Sequence, residues 1–341
     1  MLFPAVALRT SQPAATVSVF GFGVYGQAVA SVLSMGGHRV SLIGTECRGP
    51  RACDVWTQGR AHYTTSVELH SAESDRQAIK SSDAIVMAVS GTEYGAAFEH
   101  IVPSLNSGQT VFIVGAAFGA SFEVGAAIYR RRRDLALNIV ETSQPFTAAN
   151  AGAEGLKIHG LRERLVIAGR TLNETRAGLQ VGNSLFSGLV PASNVLERGF
   201  CNMEKWLETA SCLFAVFGPD GYNTAGPSSA KSAVVVALRA EIESLGRAYG
   251  VTRIVEQQAT NHASGLSSEA LKEFIELSVI EDFVMLSSLA RLMYLQVPLI
   301  DSIIELASIV TGSDLRKEGR QLDDLGLIGM DATEIVELVS A

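Results

Sequence analysis

Gly21, Gly23 and Gly26 form G-x-G-x-x-G between the β-branched run TVSVF and the helical stretch AVASVLSM. In that setting each glycine has a task. The first permits a tight turn, the second lets the backbone approach a pyrophosphate, and the third lets helix and strand pack closely. The helix N-terminus then presents its amides and its dipole to the anion. Val24 and Tyr25, between the second and third glycines, complete the expected contact set. The alternative reading is a glycine turn with no ligand. A second apolar strand, HRVSLIG, follows at the proper distance and favours the dinucleotide.

The end of that second strand reports on the cofactor. An acid there would hold a ribose 2′-hydroxyl, but the strand runs out in Gly44 and Thr45, and Glu46 comes late. Arg48 and Arg51 follow and suit a 2′-phosphate. NADP is therefore expected over NAD, with Thr45, Arg48 and Arg51 as contacts; the plainer reading of each arginine is an exposed loop charge. Val89 and Ser90, after the strand AIVMA, should add a further contact, because ligands bind at the carboxyl ends of such strands.

Other chemistry is thin. Cys47, Cys53, Cys201 and Cys212 make no C-x-x-C pair and no zinc-like spacing with histidine, so no metal is expected. The basic run Arg130–Arg133 ends a helical stretch and reads as a solvated helix terminus. A net charge of −8 gives no case for nucleic acid.

The glycine turn needs a sheet behind it. Strands near residues 16, 39, 84, 110 and 135 alternate with helices and are nearly all apolar, which implies a parallel sheet covered on both faces. The segment LKIHGLRERLVIAG (156–169) reads as a hairpin closing this half. Helical periodicity dominates afterwards, at 173–189, 203–217, 229–250, 268–280 and on to 309. The fold class is α/β: a loose arm over 1–15, a Rossmann dinucleotide-binding domain over 16–172, and a mostly helical substrate and dimerisation domain over 173–341. With 341 residues, 47% of them hydrophobic, two cores are expected. No apolar run reaches the roughly 18 residues of a membrane span, and no signal peptide is evident, so a cytoplasmic protein without membrane partners is expected. The apolar-rich stretch 283–310 suits a core helix pair or a homodimer interface.

Along nearly its whole length the chain resembles the octopine/nopaline (opine) dehydrogenase family. The resemblance rests on GQTVFIVGAAFGASFE, Glu141-Thr142, PASNVLERGFCN, ALRAEIESLGRAYGV and, most specifically, IEDFVMLSSLARLMYLQVPLIDSIIELASIVTG with EGRQLDDLGLIGMDATEIVELV. It implies a Rossmann domain joined to a helical domain, and reductive condensation of an amine with a 2-oxo acid. It also implies a catalytic His and Asp. The Asp matches Asp282, while the slot of the His, six residues after Asn202, holds Glu208. The Arg-Tyr pair expected before Glu281-Asp282 is replaced by Leu277 and Ser278, which removes a carboxylate clamp.

These departures shape the expected catalytic set. Two carboxyls close together would share a proton, one with a raised pKa, so Glu208 with Asp282 is expected to act as an acid or to stabilise an iminium cation. The alternative for Glu208 is a solvent-facing or salt-bridged helix residue. Five histidines fall in the first half; His262 alone lies in the second and is a candidate replacement base, or else a loop histidine. Asn202 is a further candidate. The leading expectation is NADPH-dependent reduction of a C=N bond, preformed or made from amine and oxo acid. One alternative is a ketopantoate-reductase-like carbonyl reductase, which would rely on a lysine in the helical half; Lys205 and Lys231 are available, neither in a recognisable motif. Another is a non-redox protein that keeps the cofactor fold.

Overall fold

The computed structural model describes residues 14–21, 23–43, 48–57, 61–70, 75–151, 155–217, 229–254 and 267–340. Contacts divide the chain into two compact units. The first comprises Met1–Val89, Glu93–Ala116 and Ala120–Arg198; the second comprises Gly199–Ala341 with two short segments, Ser90–Thr92 and Ala117–Gly119.

Strands β1 (Thr16–Phe20), β2 (Arg39–Ile43), β3 (Arg48–Thr57), β4 (Ala61–His70), β5 (Ala84–Met87), β6 (Thr110–Ile113), β7 (Asn138–Thr142), β8 (Thr147–Ala151), β9 (Gly155–His159), β10 (Leu165–Gly169) and β11 (Leu189–Pro191) belong to the first unit. Seven form the main sheet, in the order β11-β10-β7-β6-β5-β1-β2. Strands β2, β1, β5, β6 and β7 pair in parallel. Strands β5 and β6 are buried at every position, as the unbroken apolar runs require of a sheet covered on both faces. The strand order reverses at β1, between β2 and β5, and the carboxyl ends at such a point are where open α/β sheets bind ligands.

Three sequence expectations change here. The segment 156–169 is not a hairpin. Strand β10 runs antiparallel to β7 in the main sheet, while β9 pairs with β8 and β3 in a second sheet of order β4-β3-β9-β8. The region 48–70, where the sequence predicts no strand, forms the ten-residue arms β3 and β4 of that second sheet. The helix Leu172–Leu185, which periodicity alone puts with the second half, packs on the main sheet. A Cβ on Gly178 would fall 2.6 Å from Val140 Cγ1, and one on Gly182 would fall 2.9 Å from Phe112, so two glycines one turn apart let it sit close to β6 and β7. Its first turn is capped by Thr171, whose hydroxyl accepts from the Glu174 amide.

The second unit is helical. Helices Met203–Phe217, Ser229–Ala248, Ser268–Ser278, Val284–Leu292 and Pro298–Thr311 supply most of its core. Glu241 accepts the amides of Leu299 and Ile300, which caps the Pro298–Thr311 helix with a negative charge at its positive end. Gly312 ends that helix in the left-handed conformation at φ 78°. Among the described residues no helix is long and apolar enough to cross a membrane, and no group of three or more His, Cys, Asp or Glu side chains is placed to hold a metal ion.

Candidate functional site

The glycine turn has the geometry its spacing implies. A Cβ on Gly21 would lie 2.6 Å from Gly26 Cα and 2.9 Å from the Ala88 carbonyl, so the first and third glycines pack backbone on backbone. Gly23 is the N-cap of the Val24–Met35 helix at φ 91°, ψ −153°, a conformation open essentially only to glycine. Among the described residues no atom lies within 4 Å of where its Cβ would stand. Among the described residues no side chain caps the helix, and its first turn carries no acid. A positive dipole end at a glycine N-cap, with open space beside Gly23 among the described residues, fits a pyrophosphate.

The remaining expected cofactor contacts divide. Val89 is buried, and Ser90 holds Thr92 Oγ1 at 2.8 Å through its own hydroxyl. Tyr25 sits in the first helical turn, so only its backbone suits a phosphate. Its ring packs on Phe146 at 5.8 Å, and its hydroxyl is buried with no hydrogen-bond partner among the described residues. Burial raises the pKa of that hydroxyl against the opposing pull of Arg162 and Arg198. Arg48 and Arg51 lie on β3 with side chains outside the described residues; Thr45 and His262 lie outside them altogether.

One fully buried ion pair of the first unit lies at the carboxyl ends of β6 and β7. Arg198 Nη1 donates to Glu141 Oε2 at 3.2 Å, and its Nη2 donates to the carbonyls of Ala116 and Thr142. Ser121 Oγ donates to the other Glu141 oxygen at 2.8 Å. This fully buried pair is a structural anchor.

The second unit builds a different cluster. Residues Val279–Phe283 form a π-type turn between the Ser268–Ser278 and Val284–Leu292 helices. Single turns of this kind are rare and concentrate at functional sites. This one brings Glu281 and Asp282 to the same lysine. Lys205 Nζ donates to Glu281 Oε2 at 2.6 Å and lies 3.3 Å from Asp282 Oδ2. The other Glu281 oxygen accepts the Gly91 amide at 2.7 Å. Asp282 accepts the Phe118 amide at 2.8 Å and the Trp206 indole N–H at 2.9 Å. Arg320 Nη1 donates to the carbonyls of Phe118 and Glu281, each at 3.0 Å.

Burial works against both charges, yet their neighbours prevail. Lys205 is held above the ordinary lysine value because Glu281 and Asp282 outweigh its desolvation. Asp282 is held below the ordinary carboxylate value by Lys205, the Trp206 indole, the Phe118 amide and Arg320. The expected carboxyl pair sharing a raised proton is therefore not what forms at Asp282. Its partners are Phe118, Trp206 and Lys205, and Glu208 is not among them. Glu208 is half-buried one turn beyond Lys205 on the Met203–Phe217 helix. Asn202 is half-buried at the start of that helix, its amide bonded to the Gly199 carbonyl at 3.0 Å. Ser278, in the place of the expected Arg-Tyr pair, is buried and lies 2.7 Å from Thr209 Oγ1, so that position serves helix packing. Lys205 is the residue that sequence reasoning undervalued: its partners lie 76 and 77 positions further along the chain.

Residues 16–119 match the family model for the N-terminus of NAD-dependent glycerol-3-phosphate dehydrogenase. An opine dehydrogenase of Arthrobacter sp. (strain 1C) is 23% identical, covering 94% of this chain and 97% of its own. The chain is a homologue of opine dehydrogenases. Solved structures share the fold of this homologue at low identity. An octopine dehydrogenase with NADH and L-arginine superposes with a TM-score of 0.66 at 11% identity, covering 95% of this chain and 98% of its own. A yersinopine dehydrogenase with NADP+ bound gives 0.61 at 14%, over 96% and 98%. A ketopantoate reductase of Ralstonia eutropha JMP134 gives 0.63 at 17%, over 87% and 98%. The homologue is thus an oxidoreductase by family, and its first unit is a Rossmann domain for NADP or NAD, whose glycine turn fits the pyrophosphate.

Proposed function

We propose that this chain uses NADPH to reduce a C=N bond, either preformed or made by condensing an amine with a 2-oxo acid, and that Lys205 takes the proton-donor place in which the family resemblance leads one to expect a histidine. The observation that carries the reading is the Lys205 ammonium held by Glu281 and Asp282. Reduced nicotinamide supplies a hydride to the substrate carbon. The chain's own task is then to manage charge and protons. The Lys205 ammonium carries a proton throughout the neutral range and can give it to the hydroxide that must leave when amine and oxo acid condense, taking another from solvent afterwards. Glu208, one turn on, is the proposed carboxylate facing an iminium cation, Asn202 a proposed substrate contact, and His262 a proposed auxiliary base. Arg48 and Arg51, with Thr45, are the proposed reason for preferring NADPH. A cytoplasmic homodimer paired through an apolar face remains part of the proposal; Ile309 on the Pro298–Thr311 helix is exposed.

One observation favours a second reading. A half-buried lysine is also the proton donor that an alkoxide would need, so reduction of a plain carbonyl, as in ketopantoate-reductase-like enzymes, uses the same cluster without an amine substrate. The two are separated by following NADPH oxidation, with NADH in parallel, against oxo acids with and without amino acids and against preformed cyclic imines. Amine-dependent or imine turnover, reduced about 100-fold or more in Lys205→Met, is the expected result. Turnover with oxo acids alone would replace the first reading by the second. NADPH binding without any turnover would overturn both in favour of a non-redox role.

A further inference from the structure

Glu281 is bonded through both carboxylate oxygens to partners far apart in the chain, the Gly91 amide and the Lys205 ammonium. Gly91 opens a single tight turn, Gly91–Glu93, next to Ser90. It has little spare room: a Cβ there would lie 3.0 Å from Glu281 Cγ, 3.2 Å from Ala117 Cβ and 3.4 Å from Arg320 Cδ. Behind the carboxylate, Arg320 holds the Glu281 carbonyl and ties it to Phe118. The Glu281 backbone is therefore held, and its side chain serves both partners at once.

We propose that Glu281 is a positioning residue that couples the segment Ser90–Thr92 to Lys205, so that whatever displaces Gly91 changes how firmly the lysine keeps its proton. The charged groups around Lys205 are Glu281 and Asp282 on the π-type turn, Arg320 from the C-terminal segment, and Glu204 and Glu208 on its own helix. Glu204 is engaged with Arg239 at 3.2 Å. Glu281 makes the shortest of the polar contacts to the ammonium and alone among these groups also holds the Gly91 amide. Coupling of this kind is reciprocal: the loop acts on the lysine, and the lysine acts on the loop. The inference rests on reading Lys205 as the proton donor only for its significance in turnover; the coupling itself is a property of the folded chain and is measured without substrate.

The test is a mutant cycle read by covalent labelling. The Lys205 amine is reacted with an amine-selective reagent over a pH series, and the labelled peptide is quantified by mass spectrometry; only the deprotonated amine reacts. Glu281→Gln keeps an acceptor for Gly91 but removes the charge, and Lys205 should label about tenfold faster at a fixed pH below its midpoint. Gly91→Ala crowds Glu281 Cγ and should give about a threefold rise in the same assay, yet add nothing in the Glu281→Gln background. Equal effects of Gly91→Ala in both backgrounds, or none in the native one, would overturn the coupling. If Gly91→Ala folds poorly, the reverse direction serves. Lys205→Met should speed hydrogen exchange of the Gly91 amide about tenfold, and unchanged protection would overturn the proposal. Loss of turnover with the labelling cycle intact would count against the proposed reaction and leave the coupling standing.

Discussion

Trp206 donates its indole N–H to Asp282 Oδ2 at 2.9 Å, the same oxygen that Lys205 Nζ approaches to 3.3 Å. A fully buried carboxylate is thereby met by a neutral donor and a cation at once. Replacing Trp206 by Phe keeps most of the ring and removes the donor. The expected loss is about 1–3 kcal/mol, the cost of leaving a buried acceptor short of a partner. Denaturant unfolding measures it, and a variant as stable as the native chain would contradict the role assigned to the indole.

The Lys205 cluster also sets a pH window. The folded pKa of Lys205 is raised, so its contribution to stability is complete below the unfolded value of about 10.4 and is lost as pH rises through the folded value. The folded pKa of Asp282 is lowered, so its contribution holds above about 3.9 and is lost as pH falls through the folded value. The stability difference between the native chain and Lys205→Met should be flat from about pH 6 to 10 and shrink at both extremes. A difference that shrinks between about pH 9 and 7 instead would show that the ammonium is not held as described.

Cofactor affinity should fall for two separate reasons in two glycine variants. Gly21→Ala drives a Cβ into the Gly26 backbone at 2.6 Å and must push the helix off the strand. Gly23→Ala meets no atom of the described residues within 4 Å, but strains the N-cap by about 1–3 kcal/mol and fills the space there. Nicotinamide fluorescence titration should find at least about tenfold weaker NADPH binding in each. A drop in melting temperature is expected of Gly21→Ala above all.

Arg198→Met leaves Glu141 buried without its cation. Breaking such a pair costs about 3–5 kcal/mol. The variant should unfold at markedly lower denaturant concentration, and replacing both partners by apolar residues should recover much of the loss.

What the sequence reveals depends on how local the determinants are. The Gly21–Gly26 turn is legible because its function resides in backbone freedom over six residues, and the parallel sheet is legible because full burial leaves unbroken apolar runs such as AIVM and TVFI. Pairing is another matter. LKIH and LVIAG are both apolar and close in sequence, yet each finds its partner elsewhere, and nothing within either run names that partner. The arms 48–57 and 61–70 mix charged, polar and aromatic residues without a clean alternation, so they read as connection. Lys205 was the hardest to see. Its meaning depends on a π-type turn more than seventy residues away, and one wider turn leaves no mark in composition or period.

The second unit borrows Ser90–Thr92 and Ala117–Gly119 from the middle of the chain. It is consequently no cassette. A recombination event joining a foreign first half at residue 199 would inherit Glu281 and Asp282 but take from elsewhere the loops that position the amides they accept at 91 and 118. Gene shuffling within this lineage should therefore keep breakpoints outside 90–282, or exchange those two short loops together with the helices.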